Sequence, residues 1–340
     1  MSRAVECDQC PLRLSRRAAL TLHKLAVPLV VLHLVDFICQ TSNPAQNQRD
    51  LMVFEVFSGV SRIYSTAREE RLKSDYYDVL WRPRVNDLLG MSGLIYAVRQ
   101  TLRLVPSGLV FLGVPCSMLV WISSGTHGRA APNFMGDSSI PGVVASNTLL
   151  ARASLLCCLA MARSVFWAVE QPGSSCLPKT PYWRRLLGLK IKRMHFIRFY
   201  MGAYKHMSWK LTMVFGSWPR IPMLYRKFTR QRKAAIKKHQ MKHKVVIAKK
   251  TGKSVCGGKD LKRTGEYTKP FARKVVKEFC NLTAGEKEEA SNVDFERMSP
   301  LNAPVQWKHL DLKQIEEFLQ QRIDDGSFHP QFAWKPEHLA

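Results

Sequence analysis

Short apolar runs that end at turn residues recur through the middle of this chain and alternate with stretches of helical periodicity. Apolar runs of this kind are typical of buried strands. The runs lie at residues 51–57, 76–80, 109–114, 165–169, 196–200 and 211–215, and the helical stretches at 60–72, 93–104 and 147–163. Strands that alternate with helices predict an α/β domain at residues 50–219, built on a doubly wound, mostly parallel sheet.

The first 49 residues do not follow this pattern. Their apolar stretch at 18–39 contains charged residues and Pro28, and its uncharged part at 25–35 is too short to span a membrane. We therefore predict no stable membrane insertion and interpret residues 1–49 as a helix that packs on the next domain. A cleaved targeting sequence is the alternative.

Positive charge is concentrated after residue 219. The chain of 340 residues carries a formal net charge of +26, which indicates an anionic partner, nucleic acid first and an acidic membrane surface second. Much of this charge lies in residues 220–285, which we interpret as a basic nucleic-acid-binding extension, helix-compatible at 220–250 and at 269–279. The alternatives are a solvated tail or a nuclear-import signal. Few aromatic residues interleave there, which argues against a single-strand stacking platform.

Residues 286–340 are predicted to form a helical or irregular tail, with an amphipathic helix at 310–323. The nine cysteines have irregular spacing, which indicates a reducing compartment rather than a disulfide framework. Cys7 and Cys10 make half of a zinc site without a second close pair, so no metal site is predicted.

Residues suited to a nucleotide-like cofactor follow the first two strands. Gly59 lies in a turn before a helix, where backbone amides can approach a carboxylate or phosphate. Asp78 follows at the second strand, about twenty residues on, where an acid commonly holds a ribose hydroxyl. Asp87 in the next turn suits an exocyclic amine. The cofactor-binding candidates are Phe57, Ser58, Gly59, Asp78, Asn86 and Asp87.

Cys116 follows the apolar run at 109–114 and begins a Ser/Gly-rich loop. A cysteine at the carboxyl end of a parallel strand lies where α/β folds place their ligands. A nearby helix N-terminus or basic residue would lower its pKa and favour the reactive thiolate. The alternative is a small, buried structural cysteine. The polar loop that follows, with Ser117 and Arg129, is not what core packing requires.

Glu170 closes the apolar run at 165–169. An acid in that position is costly unless it is paired or functional, so Cys116 and Glu170 are the candidate catalytic residues. A cysteine hydrolase is not favoured, because His127 is the only histidine in the strand-end loops and nothing marks it as a base.

The order of these motifs over residues 51–218 resembles that of the DNA cytosine carbon-5 methyltransferases. The turn ending at Gly59 is similar to the Phe-x-Gly cofactor turn of the family. Asp78 and Asp87 are similar to its second and third cofactor motifs. The resemblance implies a Rossmann-like fold of the S-adenosylmethionine-dependent methyltransferase type, followed by the basic extension, with S-adenosylmethionine as the cofactor.

The catalytic motifs of the family have counterparts in Pro115-Cys116, in Glu170-Gln171-Pro172 and in Lys210 with the two residues after it. The resemblance implies that Cys116 adds to carbon 6 of a flipped-out cytosine, while Glu170 hydrogen-bonds the ring nitrogen and the exocyclic amine. Carbon 5 then accepts the methyl group. The substrate-binding candidates are Ser117, Arg129 and Arg198, the last as a loose counterpart of the Gln-x-Arg-x-Arg motif.

Four family features differ or are missing. Val60-Ser61-Arg62 follows Gly59 where the family usually has a second glycine. The Gln-x-Arg-x-Arg motif, a large target-recognition domain and the terminal Gly-Asn motif are not visible. The sequence thus predicts a DNA cytosine-5 methyltransferase in the nucleus, or in an organelle if residues 1–49 are a targeting sequence. The alternatives are a non-catalytic nucleic-acid-binding protein with this fold and an RNA cytosine methyltransferase.

Overall fold

A computed structural model describes residues 49–83, 85–188, 194–238, 245–247, 254–256 and 265–290. The apolar segment and Cys-x-x-Cys pair of the first 48 residues and the helix predicted at 310–323 lie outside these ranges.

Six strands form one mixed sheet in the order β2-β1-β3-β4-β6-β5. The strands are β1 (Leu51–Val56), β2 (Ser74–Tyr77), β3 (Leu104–Leu112), β4 (Phe166–Pro172), β5 (His195–Tyr200) and β6 (Leu211–Gly216). Strands β1 to β4 are parallel, whereas β6 is antiparallel to its neighbours β4 and β5. The predicted α/β fold with a mostly parallel sheet is confirmed.

The helices fill the intervals between the strands and extend beyond the sheet. They are α1 (Arg62–Glu69), α2 (Met91–Leu102), α3 (Ser124–His127), α4 (Pro141–Ala162), α5 (Pro181–Gly188), α6 (Arg230–Lys238), α7 (Lys269–Cys280) and α8 (Ala284–Glu289). A short antiparallel pair is formed by β7 (Val245–Ile247) and β8 (Ser254–Cys256). Strand β7 lies in the segment at 220–250, whose composition was helix-compatible, and β8 lies just beyond it.

Several predicted boundaries were wrong, and two of them have a clear physical reason. Helix α4 begins at Pro141 and not at Asn147, because proline suits the first helical turn. Asn147 is not an N-cap; its side-chain amide donates to the Met135 carbonyl at 3.0 Å. Strand β2 ends at Tyr77, because Val79 and Leu80, which extend the apolar run in the sequence, are exposed turn residues.

Each face of the sheet is covered by its own core. One core lies under α2, α4 and α5 and contains Trp167, Trp183 and Phe215, which pack edge to face. The other lies under α1 and α7 and contains Phe111 and Phe271. Residues 265–290, which composition groups with the basic extension, therefore pack on the sheet.

Helix α4 is long and rich in apolar residues. Among the described residues it is the single helix long and apolar enough to cross a membrane, but 67% of its most apolar window is buried. Length and composition are weak criteria, and a core helix meets them equally well.

The parallel strands end at one edge of the sheet. Val56 of β1 pairs with Leu112 of β3, and Leu112 pairs with Val169 of β4, so the carboxyl ends of these strands are level. The chain leaves β1 toward β2 on one side and returns to β3 on the other. A crevice at such a reversal is the usual ligand site of open α/β sheets.

Candidate functional site

The turn after β1 has an unusual backbone. Phe57, Gly59 and Ser61 have φ angles of 58°, 55° and 53°. Only glycine adopts this left-handed region without strain, so Ser61 holds a conformation that a second glycine would favour. A Cβ built on Gly59 would have no atom within 4 Å. The space above the turn is therefore open to a ligand.

Asp78 lies beside this turn, as its position after β2 predicted. Its Oδ2 accepts from the Gly59 amide at 2.8 Å and its Oδ1 from the Leu80 amide at 2.9 Å. The Trp81 indole donates to the Gly59 carbonyl at 2.7 Å. Leu80 and Trp81 are 64% and 54% exposed next to the carboxylate. Asp78 thus fixes the turn and retains lone pairs for a further donor.

Glu55 lies beneath the same turn and was not among the predicted site residues. It is fully buried, and its Oε2 accepts from the Tyr64 amide in the first turn of α1 at 2.8 Å. Its Oε1 has no partner among the described residues. Burial and the nearby Asp78 raise the pKa of Glu55 to about 8, although the helix amides oppose the shift. The sequence signal that could have identified Glu55 is an acidic residue inside an apolar run.

The Asn86-Asp87 turn is held to α4 by Arg152. One nitrogen of this buried guanidinium donates to the carbonyls of Leu88 and Leu89, both at 2.7 Å. Asp87 accepts from the Leu89 amide within its own turn. Asn86 is buried, and its Oδ1 has no partner among the described residues. No described contact joins this turn to Gly59.

Cys116 and Glu170, the two candidate catalytic residues, lie at the level ends of β3 and β4, within electrostatic range of each other. The carboxylate of Glu170 is buried, with Lys210 Nζ 3.3 Å from Oε1 and the Tyr267 hydroxyl donating to Oε2 at 3.3 Å. Burial and the Glu170 charge raise the pKa of the Cys116 thiol, and the Lys210 charge acts in the opposite direction. We call these four side chains the Cys116 cluster.

Tyr267 reaches the cluster from the segment before α7 and had no predicted role. It is buried against the rings of Phe111 and Phe271. Burial and the charge of Glu170 raise its pKa well above the ordinary value for tyrosine, so the hydroxyl is a hydrogen-bond donor. A Cβ on Gly113 would lie 2.6 Å from this hydroxyl. A glycine inside an apolar run indicates such a close approach.

Gln171 ties the loop of Cys116 to strand β4. Its side-chain amide donates to the Val114 carbonyl at 2.6 Å, and its Oε1 accepts from the Ser175 hydroxyl at 2.8 Å. The residue is fully buried. The position of Cys116 next to Glu170 therefore depends on this amide, which the sequence marked only as the neighbour of Glu170.

Arg129 and His127 shape the loop between β3 and α4. Arg129 is buried and donates to the carbonyls of Met118 and Phe134 at 2.7 and 2.8 Å. His127 accepts from the Arg129 amide at Nδ1, and its Nε2 lies 3.1 Å from the Val120 carbonyl. Both ring nitrogens are engaged by backbone, so His127 is not placed as a base. Ser117 is exposed at the start of the loop.

Arg198 lies on β5, with strand β6 between it and β4. It is exposed, and its guanidinium lies 5.4 Å from the centre of the Phe196 ring. No contact among the described residues joins it to Cys116 or Glu170.

The described ranges contain no group of three or more His, Cys, Asp or Glu side chains arranged to hold a metal. Comparison with known protein families and with curated proteins found no match for this chain. The features that bear on function are therefore the geometry of the Cys116 cluster and that of the turn at Gly59.

Proposed function

We propose that this chain is an S-adenosylmethionine-dependent methyltransferase that acts on carbon 5 of cytosine in DNA through a covalent bond to Cys116. The observation that carries the proposal is the Cys116 cluster, in which a thiol adjoins a buried carboxylate held by a cation and a hydroxyl. It lies at the carboxyl edge of the sheet, the same edge as the open turn at Gly59.

The residues around this turn suit the cofactor. The open space above Gly59 lets a ligand approach the main chain of the turn, and Asp78 has lone pairs for ribose hydroxyls. Leu80 and Trp81 offer apolar surface for the adenine ring beside Asp78. Asp87 is half-buried, and beyond the hydrogen bond from the Leu89 amide it has lone pairs for an exocyclic amine. S-adenosylmethionine, when bound, supplies an electrophilic methyl group.

Each member of the Cys116 cluster has a role in this chemistry. The raised pKa keeps Cys116 as a thiol at rest. As the sulfur approaches the ring, its proton passes to the Glu170 carboxylate, and Lys210 stabilises the developing thiolate. The sulfur then forms a bond to carbon 6 of the flipped-out ring. Glu170 accepts from the exocyclic amine and shares a proton with the ring nitrogen, which makes carbon 6 electrophilic. Tyr267 and Lys210 are positioning residues for Glu170.

Covalent trapping tests the nucleophile. Cytosine with fluorine at carbon 5 cannot lose a proton there, so the adduct between Cys116 and the ring should persist under denaturing electrophoresis. We expect a trapped complex that requires S-adenosylmethionine, disappears in Cys116→Ala and remains in Cys280→Ala, whose exposed thiol is the matched control. A trapped complex that survives Cys116→Ala would contradict the assigned nucleophile. The same substrate as RNA separates a DNA enzyme from an RNA enzyme.

Calorimetric titration tests the cofactor. We expect S-adenosylmethionine to bind the folded chain and the affinity to fall in Asp78→Ala, which also releases the Gly59 amide. Absence of binding by a protein that melts cooperatively would contradict the methyltransferase proposal.

One observation favours a second candidate, a non-catalytic nucleic-acid-binding protein of this fold. The Gly59 amide donates to Asp78 and is not free for a cofactor. Binding of nucleic acid that is indifferent to S-adenosylmethionine, together with no trapped complex, would support this candidate.

A further inference from the structure

Strand β5, the loop before β6, the segment before α6 and α6 itself carry aromatic and basic side chains on one surface, all exposed except the half-buried Phe228. We call it the basic aromatic surface, and it comprises Phe196, Arg198, Tyr200, Trp209, Phe228 and Lys233. Alternate residues of a strand lie on one face, so the three members on β5 point the same way. All three are exposed.

The aromatic members are neighbours. The Phe228 ring centre lies 5.4 Å from that of Tyr200 and 6.0 Å from that of Trp209. Lys233 lies 5.5 Å from the centre of the Phe228 ring. Tyr200 and Trp209 remain 38% and 40% exposed. Ring faces in this position are not used by the core and are available to a partner.

The surface adjoins the Cys116 cluster. Tyr200 pairs with Leu211, and Thr212 pairs with Pro172, so the end of β5 and the start of β6 lie at the edge where β4 ends. Trp209 immediately precedes Lys210, whose Nζ is 3.3 Å from Glu170. A polymer bound on this surface therefore reaches the cluster without crossing the sheet.

The segments that contribute to the surface carry charge of one sign. The sequence contains no Asp or Glu from Gln171 to Lys259. The side chains of Arg230, Lys233 and Lys237 on α6 are exposed. Such a surface is complementary to a polyanion. Cations that line a row of exposed rings are the combination that binds single strands, because phosphates neutralise the cations while unpaired bases stack on the rings.

We propose that the basic aromatic surface binds single-stranded DNA beside the target cytosine, with bases stacked on Tyr200 and Trp209. Bases in a duplex are stacked on one another and cannot use these rings. The choice of DNA rests on the proposed function. The surface itself rests on its own contacts and charge.

Fluorescence anisotropy of a labelled oligonucleotide, with the full chain and no cofactor, tests the proposal. We expect tighter binding of the single strand than of a duplex of the same sequence. Trp209→Ala should weaken single-strand binding about tenfold, and Trp209→Phe, which keeps a ring, should retain most of it. Arg198→Gln should weaken binding more than Arg68→Gln, which removes an exposed charge from α1. Thermal melting verifies that each variant is folded.

Three results would overturn the proposal: equal affinity for single strand and duplex, unchanged affinity in a folded Trp209→Ala variant, or tighter binding of RNA than of DNA. The outcome is independent of the chemistry, because the measurement contains no cofactor and follows binding alone. Single-strand binding without a trapped complex would contradict the methyltransferase and leave the surface in place. A complex trapped on duplex DNA and insensitive to Trp209→Ala would support the methyltransferase and contradict single-strand binding by the surface.

Discussion

Glu170 shifts the pKa values of two other side chains of the Cys116 cluster. Its charge raises the pKa values of both Cys116 and Tyr267, and the Lys210 charge offsets part of the effect on the thiol. Burying this acid would cost several kcal/mol without partners. The ion pair to Lys210 and the hydrogen bond from Tyr267 supply them.

The reactivity of Cys116 should follow these charges. Glu170→Gln removes a negative charge, so the pKa of the thiol should fall and alkylation by iodoacetamide at neutral pH should be faster than in the wild type. Lys210→Met removes the opposing positive charge and should slow the reaction. Mass spectrometry of the Cys116 peptide across a pH series measures both effects. Three superimposable pH profiles would contradict the electrostatic arrangement.

Glu55 should make stability depend on pH. Its pKa is about 8 in the fold against an ordinary 4.5, so the native state holds a proton that the unfolded chain releases. The contribution is fully present below pH 4.5 and is lost as pH rises through about 8. Glu55→Gln cannot ionise and should remove this decline in urea unfolding. Exposed Glu70→Gln is the control and should behave as the wild type.

At the scale of elements, the turn between β1 and α1 combines strain with open space. Its three left-handed residues are held by the Ser58 amide, which donates to the Tyr77 carbonyl at 3.2 Å, and by Asp78. A rigid turn with nothing above it is suited to receive a ligand without rearranging.

Gly59→Ala distinguishes the effect of this turn on stability from its proposed role in binding the cofactor. The new methyl would meet no atom within 4 Å, so the cost to the free energy of unfolding should be the left-handed φ alone, about 1–2 kcal/mol. The methyl would project into the space assigned to S-adenosylmethionine, so calorimetry should show a loss of affinity larger than this destabilisation explains. Full affinity in the variant would place the cofactor elsewhere.

Elements with complete local signals were predictable. Helix α7 begins with a Thr268 cap and a proline in its first turn, and the predicted 269–279 agrees with the observed Lys269–Cys280. The pairing of Cys116 with Glu170 was predictable from two strand ends, because parallel strands end at one edge. The Tyr267 contact with Glu170 was not, because no local pattern indicates a bond between residues 97 apart.

The basic aromatic surface also escaped prediction. The prediction from the sequence covered only the aromatic residues within the basic segment. Tyr200 and Trp209 belong to the sheet region and contact Phe228 only in the folded protein. The same holds for Gln171, whose bond to the Val114 carbonyl crosses from β4 to the end of β3.

At the scale of the whole molecule, the segment at 265–290 completes the α/β layers. Helix α7 covers the face of the sheet that α1 leaves open. Arg220, beyond β6, pairs with Glu278 of α7 at 3.8 Å and with Glu286 of α8 at 2.8 Å. Removing contacts of α7 should therefore affect the entire fold.

Phe271→Ala tests this dependence. The ring is fully buried against Phe111, Phe199 and Tyr204, so its removal should lower the free energy of unfolding by about 3–5 kcal/mol. That is a large part of the stability of an ordinary domain. Urea unfolding measures the change, with exposed Arg273→Ala on the same helix as the control. A loss confined to residues 265–290 would show that α7 unfolds as a separate unit.

The hydrogen bond from Tyr267 to Glu170 also has a consequence for biosynthesis. On the ribosome, Cys116 and Glu170 emerge well before Tyr267, which follows Glu170 by 97 residues. Until α7 docks, the nascent chain presents an uncovered apolar face and a carboxylate without its hydroxyl partner. A message truncated before residue 265 would therefore yield a client of chaperones and proteases, and not a smaller working protein.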